Sequence, residues 1–161
     1  MMYTSLVRPH LEYAIVAWSP YLKKDIKILE DVQRRATKCI NGFNEFSYEG
    51  RLRLLNLTNL STRRIRGDLI QMFKVVKNID QINWHAPLRL NINNYPTRGH
   101  SFKLNREIVK NCAPRFNYFT NRVVNSWNKL NANSIEAPSV NSFKAKIDIL
   151  FNQDYILSFY L

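Results

Sequence analysis

The run KKDIKILEDVQRRATKCI, Lys23 to Ile40, decides the fold class. At about 100° per residue, Ile26, Leu29, Val32, Ala36, Cys39 and Ile40 fall on one stripe, and Lys23, Lys24, Lys27, Arg34, Arg35 and Lys38 fall on the other side. The spacing predicts an amphipathic helix with a basic outer face. Glu30 with Arg34 and Asp31 with Arg35 are acid-before-base pairs four residues apart, each adding about 0.3 kcal/mol to an exposed helix. Asn41-Gly42 predicts where it stops.

The same period extends in both directions. Upstream, Leu11, Ala14 or Ile15, and Trp18 predict a helix from Pro9 to Trp18, preceded by a turn over Met2 to Val7, with Pro9 in the first turn and Pro20 ending it. Downstream, Tyr48, Leu52 and Leu55 share one face of a short helix over Ser47 to Leu55. A longer helix follows from Thr62 to Asn78, with Ile65, Leu69, Met72, Phe73 and Val76 inward and Arg63, Arg66, Lys74 and Lys77 outward. Residues 79–115 carry Pro87, Pro96, Gly99 and Pro114 and read as an irregular span with a short strand or two near Ser101 to Leu104. Helical spacing resumes at Phe116 or Asn117, where Phe119, Val123, Trp127 and Leu130 stack on one side and Arg122 and Lys129 on the other. The last helix starts at Ser139 or Ser142, behind Pro138, and runs through Phe143, Ile147, Leu150 and Phe151. The apolar tail, Tyr155 to Leu161, is expected to pack. The fold class is therefore mainly α: a bundle of about five helices with an irregular middle span that has room for one short hairpin. The expected organisation is a helical region 1–78, a connecting span 79–115 and a C-terminal helical region 116–161 packing on the first.

Composition narrows the function. The 161 residues are 45% hydrophobic and 12% aromatic, enough for a core, so a disordered basic tail is excluded. The formal net charge is +12, and residues 1–80 hold 14 basic and 8 acidic side chains against 10 and 4 in residues 81–161. An excess so evenly spread lies on a folded surface and suits nucleic acid, an anionic membrane surface or an acidic protein, with a merely soluble basic domain as the plain alternative. Two cysteines, Cys39 and Cys112, exclude a disulfide framework and fit a reducing, intracellular setting. Arg8, His10 and Glu12 interrupt the N-terminal stretch, so neither a signal peptide nor a membrane span is expected there.

Catalytic chemistry is not expected of this chain. Two-metal nucleotidyl transfer needs converging carboxylates, and the aspartates at 25, 31, 68, 80, 148 and 154 include no adjacent pair. G-x-S-x-G, P-loop, G-x-G-x-x-G and H-E-x-x-H patterns are missing. His10, His85 and His100 are isolated, and Cys39 reads as a core cysteine on its apolar stripe. No cofactor, metal or small-molecule substrate is expected.

The positive signal is arginine interleaved with aromatic residues. Arg34, Arg35 and Lys38 share a helix face, Arg63, Arg64 and Arg66 crowd the next long helix, and Arg98, Lys103, Arg122 and Lys129 run through the second half among Phe102, Phe116, Tyr118 and Phe119. Guanidinium groups make bidentate phosphate contacts and aromatic rings stack on unpaired bases. Trp18, Phe119 and Trp127 stand at core spacing, so packing is their expected role.

The order of segments adds a resemblance. Ser5 to Ile40, followed by SYEGRLRLLNL (Ser47 to Leu57), RRIRGDLIQMFKVVKN (Arg63 to Asn78), TRGHSFKL (Thr97 to Leu104), NRVVNSWNKL (Asn121 to Leu130) and APSVNSFKAKID (Ala137 to Asp148), resembles the region downstream of the polymerase motifs in reverse transcriptases of non-LTR retrotransposons, the jockey-like and related long interspersed elements. The resemblance implies a thumb-like helical fold that grips template and primer, with RNA, DNA or an RNA–DNA hybrid as partner and the upstream palm of an intact element protein as another. It implies a nuclear location through the chromosomal target. The palm with its catalytic Asp-Asp motif would lie upstream of Met1, so the chain reads as a truncated element copy or a fragmentary gene model without polymerase activity of its own. Arg34, Arg35, Lys38, Arg63, Arg64 and Arg66 are the implied phosphate contacts, and Gly99 is expected to allow a turn from which Arg98 projects. Two alternatives stand beside this: Arg64 and Arg66 pairing with Asp68 or Glu49 to orient helices, and a structural remnant whose exposed apolar surface associates with itself or with an intact element protein.

Overall fold

The computed structural model describes residues 2–82, 88, 90 and 100–157, with side chains to residue 151. The described chain is mainly helical, in agreement with the periodicities. A π-helical turn, Tyr3–Val7, leads into α1 (Arg8–Glu12), then α2 (Lys23–Lys38), α3 (Tyr48–Leu54), α4 (Leu60–Val76), α5 (Ala113–Phe116), α6 (Phe119–Asn128), α7 (Ala132–Ile135) and α8 (Val140–Leu157). These make two compact units, Met1–Ile65 and Arg66–Leu161, and α4 contributes to both.

In the first unit, α1 stops at Glu12 instead of running to Trp18. Tyr13 is extended and Ala14 takes a left-handed φ of 50°, after which the Ala17 and Trp18 amides both donate to the Ala14 carbonyl. The Tyr13 carbonyl, which a continued helix would give to the residue 17 amide, instead accepts the Trp18 indole N–H at 3.1 Å. Ile15 and Val16, β-branched and weak helix formers, offer little resistance to that exchange.

Helix α2 ends at Lys38, two residues short of Ile40, and Gly42 beyond it adopts a φ of +79°, which only a residue without Cβ takes at no cost. Its interior differs from the expectation. Ile26, Leu29, Val32 and Ala36 are half-buried, whereas Gln33 and Thr37 have no exposed surface at all. Cys39 caps the helix and is exposed, which corrects its reading as a core cysteine: the last turn carries it past the packed face. In α3, Ser47 accepts the Gly50 amide, and Tyr48 and Leu52 are buried as their shared face predicts.

In the second unit, Leu69, Met72 and Phe73 of α4 are buried, with Phe73 stacked on Phe143 at 4.3 Å between ring centroids. Ile65, expected to face inward, is 41% exposed. A line at four-residue spacing beside the predicted one, Leu60, Arg64, Asp68 and Met72, is buried as well, so the packed face of α4 is broader than predicted and carries charge. Phe119, Val123, Trp127 and Leu130 are all buried, and so are Phe143 and Ile147 of α8, whose entry is capped by Ser139 accepting the Ser142 amide. Among the described residues, the strand expected near Ser101 to Leu104 shows one antiparallel bridge, Leu90 with Leu104, and the Asn128 side chain pairs with both the N–H and the C=O of Leu104 at 2.9 Å. Trp127 donates its indole N–H to the Phe102 carbonyl, and Asn121 accepts the Glu107 amide, so α6 fastens this stretch by side chains. His85, Arg98, Gly99 and the tail side chains from Tyr155 onward lie outside the described residues.

Candidate nucleic-acid interface

The six cations that the sequence puts on the outer face of α2 are all exposed. Lys23, Lys27, Arg34 and Lys38 fall within about 60° around the axis and span about 22 Å along it, with Lys24 and Arg35 beside them. Duplex DNA carries a negative charge every ~1.7 Å, so a row of this length meets several phosphates without bending them. The acids of the helix do little to cancel it. Asp31 lies 3.7 Å from Arg34, a loose exposed contact of small worth, and Glu30 is turned inward. Arg34 has its guanidinium 4.6 Å from the centroid of the Tyr48 ring, and Arg35 bonds back to the Asp31 carbonyl at 3.3 Å.

A buried polar network fixes the opposite side of this helix. The Tyr3 hydroxyl donates to Gln33 Oε1 at 2.8 Å; Gln33 Nε2 donates to the Tyr48 hydroxyl at 2.9 Å and the Thr58 carbonyl at 3.1 Å. Tyr48 donates in turn to Glu30 Oε1, and Glu30 Oε2 accepts the Leu60 amide at 2.9 Å, capping the first residue of α4. Burial pushes the Tyr3 hydroxyl up to about 12. Burial and then the bond to Glu30 raise Tyr48 as well. Lower on the helix, Arg51 of α3 is buried and spends its donors on Thr37 Oγ1 at 3.2 Å, the Phe46 carbonyl at 2.6 Å and the Arg34 carbonyl at 3.5 Å. Arg51 was no candidate from the sequence, yet it holds the end of α2 where Arg34 and Lys38 stand. Its place beside Leu52, on the face shared with Tyr48, was the available signal.

The remaining candidates are committed elsewhere or stand apart. Arg63 forms a two-pronged pair with Glu12, and Arg64 is buried with Nη2 on the Leu11 carbonyl at 3.1 Å. Desolvation lowers the Arg64 pKa, opposed by Glu30 and Glu12. Arg66 grips Asp148 with two bonds of 2.6 and 2.8 Å, and Arg122 grips Asp68 with two of 2.8 Å. The pairing of Arg64 and Arg66 with Asp68 or Glu49, the structural alternative, is therefore replaced by these partners, although the principle of arginines orienting helices holds. Burial raises the Asp68 carboxyl, against the pull of Arg122. Lys103 is half-buried near His100, and Lys129 is exposed just past α6. The structure thus brings Arg34, Arg35 and Lys38 together on one face, places Arg63 and Arg64 in ion-paired or buried positions of the same unit, and puts Arg66, Arg122 and Lys129 in the other.

Among the described residues, no group of three or more His, Cys, Asp or Glu side chains could hold a metal ion, and no helix is long and apolar enough to cross a membrane. No family model, curated protein or solved structure matches the chain.

Proposed function

We propose that this chain is a thumb and post-thumb region of a non-LTR retrotransposon reverse transcriptase that holds RNA, DNA or an RNA–DNA hybrid regardless of sequence, with no nucleotidyl transfer of its own. The observation that carries the reading is the exposed row of cations on α2, backed by a buried network that keeps the helix from rolling. The order of the six sequence blocks supports the family and a nuclear place of action. Binding is expected to weaken steeply with salt, since each neutralised phosphate releases counterions. Anisotropy titrations of labelled single-stranded RNA and an RNA–DNA hybrid at several salt concentrations measure this. Changing Arg34, Arg35 and Lys38 together to Gln flattens the salt slope by up to about three units if all three meet phosphates. An unchanged slope removes α2 from the interface.

A second reading, a structural remnant that self-associates or docks on an intact element protein, is favoured by the exposure of Met2, Leu6, Val7 and Tyr13 around the start of the chain. Sedimentation of a monomer that binds no apolar dye counts against it.

A further inference from the structure

Trp18, expected at a core position, is 45% exposed, unlike the fully buried Trp127. Two contacts hold its ring in place. The indole N–H is spent on the Tyr13 carbonyl at 3.1 Å, and the Arg64 guanidinium stands over the ring at 6.0 Å from its centroid. Arg64 is itself buried and tied to the Leu11 carbonyl, so a cation held by the fold stands near one side of the indole. The part left in solvent has its only polar group already satisfied, and covering it strands no donor. Tyr13, 76% exposed, opens the turn before Trp18, Tyr21, 42% exposed, follows it in the chain, and the cation row of α2 begins at Lys23.

From this we infer that Trp18 is a stacking platform for an unpaired base of a single-stranded nucleic acid whose backbone follows the α2 row. The inference rests on the nucleic-acid reading above and deepens it by naming the strand state. Three features select this occupant. Trp18 is partly open to solvent; it is held before the ligand arrives, so little freedom is lost on binding; and the cation row of α2 begins five residues on, at Lys23, which favours a polyanion over an apolar peptide. A fully paired duplex has no base to offer it except at its ends.

The test compares Trp18→Leu and Trp18→Phe with the unaltered chain, using a labelled oligouridylate and a fully paired, blunt-ended RNA duplex across a salt series. Trp18→Leu is expected to weaken oligouridylate binding at least about fivefold, leave duplex binding within about twofold and leave the salt slope unchanged, since no charge is removed. Trp18→Phe keeps a ring but lacks the indole N–H, and is expected to bind within about threefold of the unaltered chain. Equal weakening by both variants means that Trp18 acts by shaping the turn, and overturns the platform. An unaffected Trp18→Leu variant with a steep salt slope also overturns it while the grip by α2 survives. Failure of the unaltered chain to bind either RNA removes both readings. Should Trp18→Leu not fold, tryptophan emission decides: oligouridylate quenches it in the unaltered chain and not in Trp18→Phe, and an unquenched unaltered chain at saturation overturns the platform.

Discussion

Gln33 has no exposed surface and fills three hydrogen bonds, to Tyr3, Tyr48 and Thr58. An amide in that position is worth keeping only while every partner is present, because each group left unpaired in a dry interior costs about 1–3 kcal/mol. Gln33→Leu is therefore expected to destabilise the chain by about 2–4 kcal/mol in urea titrations, although leucine is the more apolar residue. The same network sets an alkaline limit. Tyr3 in the folded chain keeps its proton to about 12, against 10.0 for the free side chain, so the unfolded chain ionises first. Stability from this group is complete below pH 10 and is lost as pH rises toward about 12, and Tyr48, also raised, adds to the loss. Thermal unfolding between about pH 9.5 and 11.5 is expected to fall less steeply in Tyr3→Phe, which has no hydroxyl to ionise. None of this was legible from the sequence. Gln33 and Thr37 sit on the inward side of α2 by their spacing, but hydropathy reads only the apolar residues between them, and the partners at 3, 48 and 58 are joined to it by tertiary structure alone. Trp18 shows the reverse failure, since its spacing read as core and its indole instead closes a turn at Tyr13.

Helices were legible where one face is apolar without interruption, as in α6 and α8, whose predicted core residues Phe119, Val123, Trp127, Phe143 and Ile147 are all buried. On α4 the predicted Leu69, Met72 and Phe73 are buried, but the inward face also carries Arg64 and Asp68, which a reading that assigns charge to solvent misses, and Ile65 is exposed instead. Asp68 and Arg122 lie 54 positions apart, beyond the reach of any local pattern. Their two parallel bonds link α4 to α6, and the Asp68 carboxyl is raised because burial outweighs its partner. Such a pair costs much to break and little to delete whole. Asp68→Leu and Arg122→Leu are each expected to lose about 3 kcal/mol, and the double variant no more than either, giving a coupling energy of about 3 kcal/mol in a double-mutant cycle by chemical denaturation. Additive losses would mean that the two side chains act independently.

Over the whole chain, the excess of twelve positive charges could be counted from composition, and periodicity placed the six of α2 in solvent, but which of the other arginines are spent on carboxylates could not be read. Arg63, Arg66 and Arg122 are absorbed by Glu12, Asp148 and Asp68, while the six on α2 stand outside. A surface so charged repels itself, and raising ionic strength from about 0.01 M to about 0.1 M shortens the reach of that repulsion from about 30 Å to about 10 Å. The melting temperature is expected to rise by about 3 °C over this range, measured by calorimetry, while nucleic-acid affinity in the proposed function falls. A melting temperature that drops would show that attractive ion pairs outweigh the excess. The Glu30 cap on Leu60 bears on how the chain assembles as it is made. Tyr3, Glu30, Gln33 and Tyr48 all leave the ribosome before Leu60, whose amide occupies the remaining Glu30 oxygen. In the nascent N-terminal unit that Glu30 oxygen is hydrated until α4 begins to emerge, so the network's bond to Leu60 can form only once the shared helix has started.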